Sequence, residues 1–424
     1  MKQRIGIAAG FGIACLCALP GRAQAEETLL KPAEGWEIYT SGRVGAFAEV
    51  VDGTGVPAPK VMAHTPTNEG IPFDPTLIDP SGHVTAFRAR SGFLGNVLNV
   101  GVRNHLTPNT LVTAQIGIWS TIESQGQRTY QKNLPDAREG YIKVEGPAGS
   151  LLVGRALSLF GRGATEIDFL YGHGYGVGAP QGFNDQGPTA GHIGFGVLAN
   201  VFAAGVAYAT PALAGFQLSV GYYDPAQLVG VSYRRTKLGR PEAEGTYDVT
   251  WGESNKVHVF VDGAFQKLYN TQPNMNDSRT VYGAQAGGRL ELGAFHVGVA
   301  AFTGKGLGVN YFLSQSDSIN NQASNEFRPF DGGYLQAQVS LTKWDFNAGI
   351  GITRAHQMSQ DLDPTLNPGQ PDYLKQQRGI SAVVVYHFSK LLHGAFDYFR
   401  ADTAWWGGET QGVNSVNLGM TATW

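Results

Sequence analysis

Apolar and polar side chains alternate along many separate stretches of this chain. In residues 415–424 the even positions are all apolar, and the odd positions are serine, asparagine, glycine or threonine. The same alternation recurs in residues 112–119, 344–353 and 380–388. Because successive side chains of a strand point to opposite faces, this pattern predicts strands with one apolar and one polar face. After residue 25 no stretch approaches the roughly 18 uninterrupted apolar residues of a membrane helix, so a membrane would have to be crossed by strands.

The connections between these stretches alternate between short and long. Short turns are predicted at 105–109, 146–149, 210–214, 252–255, 291–294, 342–343 and 389–392. Long polar segments are predicted at 51–96, 124–137, 156–194, 224–240, 270–277, 304–330, 355–376 and 402–412, the first with an extra hairpin near 84–93. This segregation by length is typical of outer-membrane barrels. We therefore expect an all-β fold, a transmembrane antiparallel β-barrel of about 16 strands, closed because unpaired backbone groups are not tolerated in hydrocarbon.

The N-terminus has the three parts of a secretory signal peptide. Lys2 and Arg4 precede an apolar run at 5–19, and Ala23-Gln24-Ala25 forms a small-residue cleavage site. This pattern predicts a signal peptide at 1–25 and a barrel domain at 26–424. The alternative, a retained anchor helix, is disfavoured because the apolar run is too short to span a bilayer comfortably.

Removal of the signal peptide changes the residue inventory. Both cysteines, Cys15 and Cys17, lie inside it, so residues 26–424 can form neither a disulfide framework nor a cysteine-based metal site. Three of the 31 basic residues also leave, so 28 basic residues remain against 34 acidic ones, a net charge of −6. This balance gives no basic face for nucleic acid. The sequence contains neither a Gly-x-Ser-x-Gly nor a His-Glu-x-x-His motif, and we expect no enzymatic activity and no cofactor.

Four stretches resemble the general diffusion porins of Gram-negative bacteria. The stretch at 137–146 followed by Gly-Ser-Leu-Leu-Val-Gly-Arg at 149–155 resembles the family's hairpin before its third loop. The hairpin at 208–222, the Tyr-His-Phe-Ser-Lys turn at 386–390 and a last strand ending on aromatic Trp424 are similar to family features in the same order. The chain departs from the family in ending on Trp rather than Phe and in lacking Pro-Glu-Phe-Gly-Gly in the third loop.

The resemblance implies a water-filled channel in the bacterial outer membrane for passive diffusion of small hydrophilic solutes and ions. It also implies a homotrimer in contact with outer-membrane lipid. The last strand, ending at Trp424, would be recognised by the barrel assembly machinery. Three alternatives stay open: a channel selective for a sugar, a carboxylate or another anion, an outer-membrane hydrolase, and a barrel with a plugged lumen.

In the porin family that this chain resembles, the third long loop folds into the lumen. By this resemblance, residues 156–194 are expected to narrow the pore. The proposed constriction combines loop carboxylates with groups on the wall or just before the loop: Glu166, Asp168, Arg43, Arg103, Arg155, Lys143 and Tyr141. Opposed charges would set a field across the narrowest water and select between ions, and the acidic balance favours a mild cation preference. In the alternative interpretation, Glu166 and Asp168 pair with neighbours such as Arg162 and only hold the loop.

One external loop has an oxygen-rich spacing. Asp361, Asp363 and Asn367 could ligate calcium, although an ordinary solvated polar loop explains the same residues. Both interpretations stay open at the level of sequence.

Overall fold

The computed structural model describes residues 26–54, 79, 81–91, 95–120, 122, 136–169, 193–226, 233–271, 277–309, 312–313, 320–321, 326–363, 365 and 374–424. The predicted signal peptide at 1–25 and the middle of the third long loop lie outside these residues, as does Asn367. Within them the chain is almost entirely extended.

The described residues form twenty-one strands, one short α-helix and one turn of 3-10 helix at Ser359–Leu362. In chain order the elements are β1 (Glu27–Leu30), β2 (Trp36–Thr54), β3 (His83–Arg90), β4 (Asn96–Thr107), β5 (Thr110–Ser120), β6 (Asp136–Gly146), β7 (Gly149–Leu157), α1 (Arg162–Ile167), β8 (Phe202–Ala209), β9 (Phe216–Tyr223), β10 (Tyr233–Arg235), β11 (Arg240–Trp251), β12 (Asn255–Asn270), β13 (Ser278–Leu292), β14 (Phe295–Lys305), β15 (Asn320–Asn321), β16 (Glu326–Phe327), β17 (Pro329–Leu341), β18 (Trp344–Ala355), β19 (Leu374–His387), β20 (Leu392–Trp405) and β21 (Thr410–Thr423).

Sixteen of the described strands close into one barrel: β2, β4–β9, β11–β14 and β17–β21. Each pairs antiparallel with its neighbours, and β21 returns to β2 over Arg43↔Thr423 to Gly53↔Val413. The last residue completes the seam, because Trp424 and Gly42 exchange two backbone hydrogen bonds of 2.8 and 3.1 Å. The predicted antiparallel barrel of about 16 strands is confirmed.

The seven predicted short turns all join consecutive barrel strands at one end of the barrel. Within the described residues of the first long segment lies the strand β3, which pairs antiparallel with the second half of β2. β2 is 19 residues long and β4 only 12, so β4 pairs with the first half of β2 and β3 with the second. β3 thus covers the backbone edge that β4 leaves unpaired.

The two faces of the strands follow the predicted alternation. On β21, Leu418 and Met420 face outward and are 64% and 49% exposed, whereas Asn417 and Thr421 face the lumen and are buried. Most of the exposed side chains on the outward faces of the other strands are likewise apolar. Across the part of the chain that the structure describes, no helix has the length and apolarity needed to cross a bilayer.

Candidate functional site

The connection between β7 and β8 lies against the inner wall of the barrel. Its described parts, 158–169 and 193–201, contact inward-facing side chains of β9, β11–β14 and β17–β20. We call these two parts the descending leg and the returning leg.

Carboxylates on the wall hold the start of the descending leg. The backbone N–H of Phe160 donates to Glu242 at 2.7 Å, and that of Gly161 donates to Asp262 at 3.2 Å. The guanidinium of Arg162 forms an ion pair with Glu244. These three acids occupy inward positions of β11 and β12. Charge-assisted hydrogen bonds to the leg replace the hydrogen bonds to water that the carboxylates lose on burial.

Backbone contacts fix α1 itself. Gly163 lies directly against the Phe260 ring, and a Cβ at this position would approach Phe260 Cγ to 2.2 Å, so only glycine allows the packing. On the other side, the Tyr334 hydroxyl donates to the Ala164 carbonyl at 2.7 Å. One turn later Gln336 donates to the Ile167 carbonyl at 3.0 Å. The helix is therefore held from both neighbouring walls.

The returning leg is held mainly by an aromatic anchor. Phe195 is fully buried, and its ring meets Phe399 edge-on with centroids 5.1 Å apart. The next residue, Gly196, donates its N–H to the Thr353 hydroxyl at 2.9 Å. Gln285 donates to the Leu198 carbonyl at 3.1 Å from the far wall.

Of the two predicted loop carboxylates, Glu166 is the one that reaches water. Its side chain is 28% exposed and lies 3.9 Å from Arg162, whose guanidinium is already paired with Glu244. Burial raises the pKa of Glu166 above its ordinary value, against the opposing effect of Arg162. Asp168 is only 1% exposed and ends α1, so it belongs to the packed side of the leg.

The wall residues Arg43, Arg103, Lys143 and Tyr141 lie on the lumen face of their strands. Arg43 is buried and donates to the Gly95 carbonyl at 2.9 Å, and Lys143 pairs with Glu145 at 2.8 Å. Arg103 lies near the short-turn end of β4 and pairs with Glu37 at 2.6 Å and with Glu26. Tyr141 packs against Leu152 and Ala156.

Arg155 does not face the lumen, and its inclusion in the constriction was wrong. It is exposed and shares a strand face with Leu151 and Val153, which are 42% and 47% exposed on the outward side of β7. Two-residue periodicity therefore turns Arg155 away from the loop that follows it.

The acids that anchor the descending leg are not among the site residues predicted from the sequence. Glu242 and Glu244 alternate with Ala243, which marks a lumen face with two adjacent charges. Their presence could have signalled a basic partner from elsewhere in the chain, although nothing local identifies that partner as Arg162. Phe260 also indicates a partner from elsewhere in the chain, because it is an aromatic residue on a strand face that is otherwise mostly polar.

Of the possible calcium ligands, Asp361 has another role. The carboxylate of Asp361 is buried and binds the guanidinium of Arg328 through two contacts, one of them 3.0 Å long. Asp361 also accepts the backbone N–H of Met358 at 2.8 Å. Among the described residues no group of three or more His, Cys, Asp or Glu side chains could hold a metal ion. The described residues thus favour a structural ion pair in this loop.

Comparison with known proteins points to one family. A family model described as Gram-negative porin matches residues 12–404. The solved outer-membrane channel DcaP of Acinetobacter baumannii is similar with a TM-score of 0.64 and 14% identity, covering 93% of this chain and 99% of that chain. An anion-selective porin from Comamonas acidovorans is similar at TM-score 0.61 and 12% identity, covering 92% of this chain and 100% of that one. A trimer form of OmpT from Vibrio cholerae gives TM-score 0.52 and 12% identity, with 92% and 100% coverage. No curated protein sequence matches the chain.

Proposed function

Since the chain belongs to the Gram-negative porin family and is an outer-membrane channel, we propose that it is a general diffusion pore for small hydrophilic solutes and ions. The observation that carries this proposal is the polar inner wall combined with the two legs that lie against it. Such a pore passes solutes by size and charge, without a binding step.

Unpaired polar atoms on the inner wall support a wet lumen. Among the residues that the structure describes, both carboxylate oxygens of Asp397 and the side-chain amides of Asn347, Gln377 and Asn417 find no hydrogen-bond partner. Buried polar groups need a partner, and water supplies one where the protein does not. These residues lie on β18–β21, away from the acids of β11 and β12 that anchor the descending leg.

We propose that the two legs form the constriction, with Glu166 as its partly exposed charge. Arg43 is the wall cation that best fits the opposite role, since it faces the lumen on β2. The predicted acidic net charge and the partial exposure of Glu166 favour a mild preference for cations. Asp168, Lys143, Arg103 and Tyr141 contribute mainly by holding the structure around the pore.

The remaining expectations complete the proposal. Residues 1–25 serve as a signal peptide, and the last strand with Trp424 is the element that the assembly machinery recognises. The functional unit is proposed to be a homotrimer, by analogy with the solved trimer form of OmpT from Vibrio cholerae.

Swelling of liposomes that contain the purified protein tests the proposed function. We expect uptake rates for neutral sugars to fall smoothly with solute size and to rise linearly with concentration. Saturation by one solute at millimolar concentration would instead identify a substrate-selective channel. No swelling from a folded, heat-stable barrel would identify a plugged lumen.

A further inference from the structure

Two histidines face each other across the hairpin that joins β19 to β20 at the short-turn end of the barrel. His387 ends β19, His393 is the second residue of β20, and the two are direct partners in the strand register. His387 has the parity of buried Val383, and His393 has that of buried Ala395, so both imidazoles lie on the lumen side of the wall. They are 8% and 7% exposed.

The two imidazoles direct the same ring atom at each other. The Nδ1 atoms of His387 and His393 are 2.7 Å apart, and the ring planes meet at 83° with their centroids 4.8 Å apart. In a neutral imidazole one nitrogen carries the proton and the other carries a lone pair. A single small ion placed between the two rings can therefore accept one lone pair from each of them.

Asp345 fixes the tautomer of His387. Asp345 lies on β18 opposite Val385, two residues before His387, and its carboxylate is 2.7 Å from His387 Nε2. Because a carboxylate only accepts, Nε2 donates its proton to Asp345, and the Nδ1 lone pair of the neutral ring is directed at His393. Metal-binding histidines have the same arrangement, in which the second ring nitrogen donates to a carboxylate that orients the ring and raises its basicity.

We propose that His387 and His393 bind a divalent transition-metal ion, Zn²⁺ or Cu²⁺, at the short-turn mouth of the lumen. The two Nδ1 atoms are the protein ligands, Asp345 orients the first of them from outside, and water completes the coordination. On binding, the proton between the rings moves to Nε2 of His393, which leaves both Nδ1 lone pairs for the metal. Imidazole nitrogen suits Zn²⁺ and Cu²⁺, whereas Ca²⁺ and Mg²⁺ prefer oxygen ligands.

The geometry needs only a small adjustment to admit the ion. Zinc–nitrogen bonds of about 2.05 Å in tetrahedral geometry place two ligand nitrogens about 3.3 Å apart. The Nδ1 atoms, now 2.7 Å apart, therefore have to separate by about 0.6 Å. Passive diffusion of solutes does not use this site, so failure of the inference would leave the proposed pore function untouched.

Metal titration of the full barrel, purified without a histidine tag, tests the proposal. Calorimetry should show that the wild type binds Zn²⁺, that Cu²⁺ binds more tightly, and that a tenfold excess of Ca²⁺ does not displace Zn²⁺. Asp345→Asn should weaken Zn²⁺ binding about 10- to 100-fold, as loss of an outer carboxylate typically does, and His393→Gln, which removes a ligand, at least about 100-fold. Electron paramagnetic resonance of the Cu²⁺ form should show coupling to two imidazole nitrogens.

A matched variant controls for the loss of two imidazoles from the lumen. His258 and His296 also face the lumen at the short-turn end, but they lie on β12 and β14 with β13 between them. H258Q/H296Q should bind Zn²⁺ like the wild type, whereas H387Q/H393Q should lose the site while its barrel stays resistant to detergent unfolding at room temperature. Undiminished Zn²⁺ binding by folded H387Q/H393Q would overturn the proposal. A wild-type protein that binds no Zn²⁺, or whose Cu²⁺ spectrum shows only oxygen ligands, would overturn it whether or not any variant folds.

Discussion

A single methyl group should release the returning leg from the wall. Gly351 faces the lumen beneath Phe195, and a Cβ at this position would lie 1.8 Å from the Phe195 carbonyl oxygen. Ordinary contact begins near 3.4 Å, so Gly351→Ala requires the leg to move by about 1.6 Å. The neighbouring Gly379 also packs against Phe195, since a Cβ at position 379 would lie 2.9 Å from the Phe195 side chain.

The cost of releasing the leg can be worked out from its contacts. Burial of the Phe195 side chain contributes about 2 kcal/mol, and the hydrogen bond from Gly196 to Thr353 about 1 kcal/mol. Losing both shifts the attached-to-detached equilibrium of the leg by about 3 kcal/mol, or roughly a hundredfold. The strand itself should not weaken, because alanine is at least as favourable as glycine in a strand interior.

Single-channel recording measures the consequence. We expect Gly351→Ala to give a barrel of wild-type heat stability with a larger conductance and a higher size limit for sugars. Gly245→Ala is the matched control, since a Cβ there meets nothing closer than 3.6 Å. A folded Gly351→Ala barrel with wild-type conductance would refute the idea that this leg limits the current.

Further predictions concern charge. Glu166→Gln should lower the cation-to-anion permeability ratio about twofold, since one charge at about 8 Å in water is worth about 0.5 kcal/mol. Asp168→Asn should change this ratio less, and reversal potentials in a salt gradient measure both effects. Burial raises the pKa of Glu166 above 4.5, the ordinary pKa of a glutamate. The cation preference of the wild-type channel should therefore begin to fall on acidification above pH 4.5, and Glu166→Gln should abolish this pH dependence. Asp361→Asn should destabilise the outer loop by about 3–5 kcal/mol, because it removes the carboxylate that neutralises the buried guanidinium of Arg328. R328M/D361L should recover most of this loss. Limited proteolysis measures the effect, and equal protection of Asp361→Asn and wild type would contradict it.

Much of the barrel could be predicted from the sequence because its physics is local. Alternation with period two fixes which side chains meet lipid, and five of the seven short turns contain the glycine or proline typical of a chain reversal. The same alternation places Arg155 on the outward face with Val153. The prediction that Arg155 lines the pore relied instead on its position next to the third long loop. The strand β3 was harder to predict, because its place depends on the unequal lengths of β2 and β4.

The contacts between the loop and the wall could not be derived from the sequence. Arg162 and Glu244 are 82 residues apart, and no local pattern specifies which carboxylate meets which guanidinium. Phe195 packs against Gly351 and Gly379, which are direct partners in the register of β18 and β19, whereas Phe195 itself comes from a distant part of the chain. Long-range pairing of this kind follows from the register of the whole sheet, and a one-residue slip would reverse every face.

The most direct test of the central claim is the conductance of single wild-type channels as a function of salt concentration. A continuous aqueous path bounded by the two legs predicts stable steps whose conductance rises linearly with potassium chloride, with a small reversal potential of cation-selective sign. A folded barrel that passes no current, or whose conductance saturates at low salt, would contradict that claim.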